Sequence, residues 1–181
     1  EKDLGAGDTF WNFNDVKPGD HGTNVISLHV FDNDAFACML TENVADNEND
    51  LINPEADASD TTQGPGNGEL SQYLKLFIWD DDNDGVYEPG PGEGVLYPSG
   101  PFASVAMTRL SLTATTTDYL GVAWCFGNQT VDTGTGVITC DGAGDVFNTA
   151  QTDSVVADLV FHAVQQRNNA GFQCASLLPR P

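Results

Sequence analysis

The feature that most constrains this chain is the alternation in "DSVVADLVFHAVQQ", residues 153–166. Val155, Ala157, Leu159, Phe161 and Ala163 fall on one side of an extended chain, and Val156, Asp158, Val160, His162 and Val164 on the other. A period of two is the pattern of a β-strand, because successive side chains there point to opposite faces. The same reading applies to "TNVISLHVF", where Ile26, Leu28 and Val30 oppose Val25, Ser27 and His29. "AFACMLTENV" is a further strand with Phe36, Cys38 and Leu40 on one face, and "KLFIW", "VAMTRLSLTAT" and "DYLGVAWCF" follow. Turn chemistry separates them: "KPGD", "EPGPGEG" and "YPSGP" combine a Pro that presets φ with a Gly that accepts φ > 0.

No long amphipathic helix is legible; "GELSQYL" reads as one helical turn. Residues 45–68, polar, acidic and rich in Gly and Pro, read as a long surface loop. Short strands with such turns predict an all-β chain, an antiparallel jelly-roll β-sandwich with long acidic loops. At 181 residues a single domain, 1–181, is expected.

Six basic residues stand against 27 acids, a net charge of −21, while 40% of residues are hydrophobic. The hydrophobic content excludes a disordered acidic tail. The charge repels phosphate and anionic lipid, so no nucleic-acid partner is expected. No apolar run approaches the ~18 residues of a membrane span. The chain starts abruptly at Glu1, and we expect a mature chain whose export signal has been removed.

Cys38, Cys125, Cys140 and Cys174 form no C-x-x-C pair, which disfavours zinc and redox motifs. An even count in a polar chain favours two disulfides and an oxidising compartment. Four cysteines allow three pairings. Cys125 and Cys140 flank "FGNQTVDTGTGVIT", which reads as a hairpin loop, so they are paired locally and Cys38 meets Cys174. The only Asn-x-Ser/Thr sequon, Asn128-Gln129-Thr130, lies in this loop and offers a glycan acceptor.

"FIWDDDNDGVYE" contains Asp80-x-Asp82-x-Asp84-Gly85, the alternation of oxygens and the sharp-bend glycine of a calcium loop. The carbonyl of Val86 falls at the seventh place and Glu88 at the ninth, whereas Pro91 replaces the usual twelfth-place Glu. Bound calcium is therefore expected on Asp80, Asp82, Asp84, Val86 and Glu88. Asp32 with Asp34, and Asp141 with Asp145, read as turn acids. No HExxH or GxSxG is present, and His21, His29 and His162 read as ordinary strand or turn residues, so no catalytic residue is assigned.

Five segments, "FWNFNDVKPGD", "ISLHVFDNDAFACM", "GELSQYLKLFIWDDDNDGVYEPGPGE", "LGVAWCFG" and "AQTDSVVADLVFHAVQQRNNAGFQC", together resemble the TasA/camelysin family of SipW-dependent secreted proteins, to which the archaeal bundling pilins are similar. The resemblance covers most of Phe10 to Cys174. It implies a secreted jelly-roll subunit of an extracellular filament, pilus or biofilm matrix fibre. Such a subunit polymerises with itself by donor-strand complementation, with lateral bundling of neighbouring filaments. Either residues 1–13 would be the N-terminal donor strand, anchored by Leu4, Phe10, Trp11 and Phe13, or the donor is a segment cut off from this chain; ordinary core packing is the competing role for those aromatics. Some family members carry a metallopeptidase label, which is not carried over because no ligand set for it is present. The alternatives are a monomeric calcium-dependent adhesin or carbohydrate-binding module, with aromatics exposed beside the calcium, and a secreted hydrolase with a deep carboxylate-lined cleft.

Overall fold

The computed structural model describes residues 3–5, 7–13 and 15–177. Ten strands follow in order: β1 His21–His29, β2 Ala35–Glu48, β3 Gly64–Pro65, β4 Leu74–Asp81, β5 Val95–Pro101, β6 Leu110–Leu112, β7 Thr117–Phe126, β8 Asn128–Val131, β9 Ile138–Asp141 and β10 Ser154–Gln165. Two short helices, α1 Asn53–Asp57 and α2 Leu70–Tyr73, interrupt them. Among the described residues no helix is long and apolar enough to cross a membrane.

Every strand pairing is antiparallel. One sheet has the order β1-β7-β4-β5, a second has β10-β2-β3 with β6 also on β2, and β8–β9 form a separate hairpin. The two larger sheets share one core. Ile26, Leu76, Ile78, Leu96, Leu120 and Val122 from the first meet Ala35, Ala37, Met39, Leu110 and Leu112 from the second. Burial of these alternating apolar faces, at about 25 cal/mol per Å², is what drives the sheets together.

β2 and β4 are buried on both faces, which explains their unbroken apolar runs. Phe36, Cys38 and Leu40 lie on the face of β2 away from the shared core. The Arg109 guanidinium covers the Phe36 ring at 4.0 Å, and the 3-10 turn Cys174–Leu177 is tied to Cys38. Both expected disulfides are present, Cys38–Cys174 and Cys125–Cys140, each with Cα atoms 5.6 Å apart. "KPGD" closes as a turn, with the Asp20 N–H donating to the Lys17 carbonyl at 2.9 Å and Gly19 at φ +95°.

Residues 45–68 are not one loop. β2 runs on to Glu48, α1 and β3 lie within the stretch, and Glu48, Glu55 and Asp60 are buried. Their polarity hid this: Glu55 is satisfied by the distant Thr152 N–H as well as by Ile52, while Glu48 and Asp60 each keep one buried oxygen without a partner. The "VAMTRLSLTAT" strand shrinks to Leu110–Leu112, although Ala106 bridges Leu40 just before it.

Candidate functional site

The acidic loop rests on an aromatic platform. Leu76 and Ile78 of β4 face the shared core, so Phe77 and Trp79 face outward. There the β8–β9 hairpin covers them through Val131 and Ile138, with Tyr87 and Ala123 completing the cluster. Phe77 stacks on Trp79 with ring centres 5.4 Å apart, and Tyr87 meets Phe77 edge-on at 5.0 Å. Trp79 enters the loop and Tyr87 leaves it, so both ends of the loop are fixed.

Within the loop, Asp81 Oδ2 accepts the Trp79 indole N–H at 2.9 Å and Asp81 Oδ1 accepts the Asn83 N–H at 2.8 Å. Gly85 also donates to Asp81, at 3.2 Å. Asn83 and Gly85 adopt φ of +84° and +73°, which turns the chain tightly around this carboxylate.

Two carboxylate triads result: Asp82, Glu88 and Glu93, and Asp81, Asp84 and Glu93, with ligand oxygens within 4.8 Å of one another in each. Glu93 belongs to both. It is only 8% exposed; its Oε2 accepts the Glu88 N–H at 2.5 Å, while its Oε1 is buried without a hydrogen-bond partner. Among the described residues no lysine or arginine is ion-paired to the loop. An orphaned buried carboxylate oxygen among four other acids fits a hard cation, which takes oxygen ligands.

Of the expected ligands, the loop thus gathers Asp82, Asp84 and Glu88 around Glu93. Asp80 joins neither triad. Its carboxyl is pushed above the usual aspartate range, first by burial and then by the charges of Asp118, Glu93 and Asp81. Val86 is exposed, and its N–H donates to Asp84 Oδ1 at 2.8 Å. Asp81 and Glu93 escaped the sequence reading. The signal for Glu93 was the Pro-Gly-Pro-Gly turn after Glu88, which brings the chain back as a bridge between Gly90 and Glu93.

Asp34 accepts the Ala114 N–H and Asp141 the Ala143 N–H, each at 2.8 Å, and neither pair of turn acids joins a carboxylate group among the described residues. Asn128 is exposed at the start of β8, open to modification. His162 Nε2 lies 3.8 Å from Glu42, and His29 Nδ1 3.2 Å from the Thr117 hydroxyl.

At the N-terminus no residue described between 3 and 13 lies in a strand. Phe10 and Trp11 pack against the shared core, and the Trp11 indole N–H donates to Asn24 Oδ1 at 2.8 Å. Phe13 sits over Trp124 with ring centres 4.8 Å apart but stays exposed, as does Leu4.

The second feature is an open sheet edge. β10 pairs with β2 on one side and with no described strand on the other. Directly paired residues share a face. Phe161 lies opposite Met39 and Ala163 opposite Ala37, so both face inward. Met39 is fully buried, yet Phe161 beside it remains 37% exposed, and Leu159 is only half-buried. The inner face is covered under β2 from Ala35 to Thr41 and incomplete under the paired part of β10.

No protein-family model and no curated protein matches this chain. The functional reading therefore stands on the loop, the edge and the sequence resemblance.

Proposed function

We propose that the protein is a structural subunit of an extracellular filament that polymerises by donor-strand complementation, on a jelly-roll frame. The observation that carries this reading is the inward-facing but exposed Phe161 on the unpaired edge of β10. A strand added there gains main-chain hydrogen bonds along an edge of up to 12 residues and covers the open inner face. The occupant we assign is the N-terminal segment of a second copy, residues 1–13, whose Leu4, Phe10, Trp11 and Phe13 supply apolar anchors; residues 1, 2 and 6 lie outside the described ones.

In the lone subunit Phe10 and Trp11 already pack on their own core. Moving the segment to a neighbour exchanges one set of apolar contacts for an equivalent set and adds the edge pairing, as in other swapped assemblies. Two disulfides are compatible with a secreted protein. Calcium held by Asp82, Asp84, Glu88 and Glu93 would order the loop, and we assign no catalytic role to these acids. Tyr87 is buried, so the loop offers no exposed aromatic of the kind a sugar-binding module needs.

The test is negative-stain microscopy of concentrated protein. Wild type is expected to form filaments, while deletion of residues 1–13, or Phe161→Lys alone, leaves a folded monomer. Filaments that persist in the deletion variant would reject the donor; persistence in F161K would reject the edge.

A further inference from the structure

We propose a second cation site, distinct from the acidic loop, in which Glu48, Asp60, Glu69 and Asp153 hold one calcium ion. These acids come from four places in the chain: the end of β2, the turn after α1, the residue before α2 and the residue before β10. Glu48, Glu69 and Asp153 bring ligand oxygens within 4.8 Å of one another. Glu48 is 4% exposed and Asp60 7%.

One pattern runs through all four. Each carboxylate has an oxygen engaged by the protein and another that is buried with no partner. Asp60 Oδ1 accepts the Thr62 N–H and hydroxyl at 2.8 Å each, and Asp60 Oδ2 is orphaned. Asp153 Oδ2 accepts the Glu69 N–H, and Asp153 Oδ1 is orphaned. Glu48 Oε1 lies 3.5 Å from the Thr152 hydroxyl and Glu69 Oε1 3.4 Å from the Thr62 hydroxyl, and Oε2 of each is orphaned. Glu55, fully buried beside them, shows what satisfaction looks like: Oε1 takes the Thr152 N–H at 2.8 Å and Oε2 the Ile52 N–H at 2.8 Å. Glu55 is therefore a support for the frame and not a ligand.

Four acids with orphaned buried oxygens and no basic partner among the described residues carry a mutual repulsion and a desolvation cost that a bound cation offsets. Calcium fits better than magnesium. It accepts six to eight oxygens in loose geometry, whereas magnesium demands a strict octahedron and keeps its waters. A surface cavity of about 320 Å³ lined by Glu48, Asn49, Asp50, Leu51, Gln63 and Gly64 opens beside Glu48.

The proposal does not depend on the filament reading. Protein stripped with chelator is titrated with calcium chloride by calorimetry, as wild type, as Glu48→Gln/Glu69→Gln and as Asp82→Asn/Asp84→Asn. The first pair is expected to lose about one equivalent of bound calcium that the loop pair keeps. A folded E48Q/E69Q protein that binds as much calcium as wild type overturns the proposal, whatever the loop variant does. Hydrogen exchange on the wild type needs no variant. Added calcium should slow exchange across residues 48–70 and 150–154, more than magnesium does. No change on adding calcium, with protection gained only by lowering the pH, would mean that the acids share protons instead.

Discussion

Gly121 lies in the middle of β7 because the Trp79 indole occupies the space where any other side chain would begin. Gly121→Ala is expected to destabilise the fold by roughly 1–3 kcal/mol, read as a lower urea midpoint at unchanged slope. Asp118, on the same strand, is half-buried with Oδ2 unpartnered. Burial raises its pKa most strongly, against the pull of donors at Thr113 and Thr116 and of the His29 ring. A carboxyl whose folded pKa is raised gives its full stability below the unfolded value, near 3.9, and loses it as pH rises through the folded one. Asp118→Asn should therefore melt a few degrees higher than wild type at neutral pH, with the gain vanishing in acid; equal melting curves at neutral pH would contradict this. Single acids of this kind were not legible in the sequence. Asp82, Asp84 and Glu88 announced themselves through spacing, but Glu93 joins them only through the chain return at Gly90–Glu93, and Glu48, Glu69 and Asp153 are neighbours only through tertiary packing, which no local pattern encodes.

Elements were legible wherever one face is wet and the other dry. β1 and β10 alternate plainly, and the hairpin between Cys125 and Cys140 formed as its turn residues implied. β3 and α1 were not, since a two-residue strand and a one-turn helix carry no period and are held by tertiary contacts. The two disulfides constrain very different loops. Cys125→Ser/Cys140→Ser opens a 15-residue separation and should cost about 3 kcal/mol, whereas Cys38→Ser/Cys174→Ser opens one of 136 and should cost about 5 kcal/mol on the chain-entropy model. Denaturant titration of the two variants checks the order. The same costs in the two variants would show that the unfolded chain is already compact, or that the local bridge also supports the Phe77–Trp79 platform.

For the whole molecule, alternation and turn residues were enough for the all-β class but not for the sheet order, which depends on long-range pairings such as β1 with β7. The net charge of −21 would oppose the proposed assembly. Repulsion between like-charged copies reaches about 10 Å at 0.1 M salt, so under that proposal assembly should quicken with ionic strength. Calcium should act beyond this general screening. At a hundredfold excess over its dissociation constant, each occupied site adds about 2.7 kcal/mol to folding, so chelator should lower the melting temperature while sodium at matched ionic strength does not restore it. A melting curve indifferent to chelator would remove calcium from both carboxylate groups.

The seating of Phe10 and Trp11 in their own subunit has a kinetic consequence. A segment that must leave one core before it can enter another imposes a toll on the first pairing and a smaller one on growth at an existing end, where the open β10 edge waits. Under the proposed assembly, fresh protein would rest as monomer through a lag, and sheared fragments added as seeds would shorten that lag in proportion to the number of ends they bring.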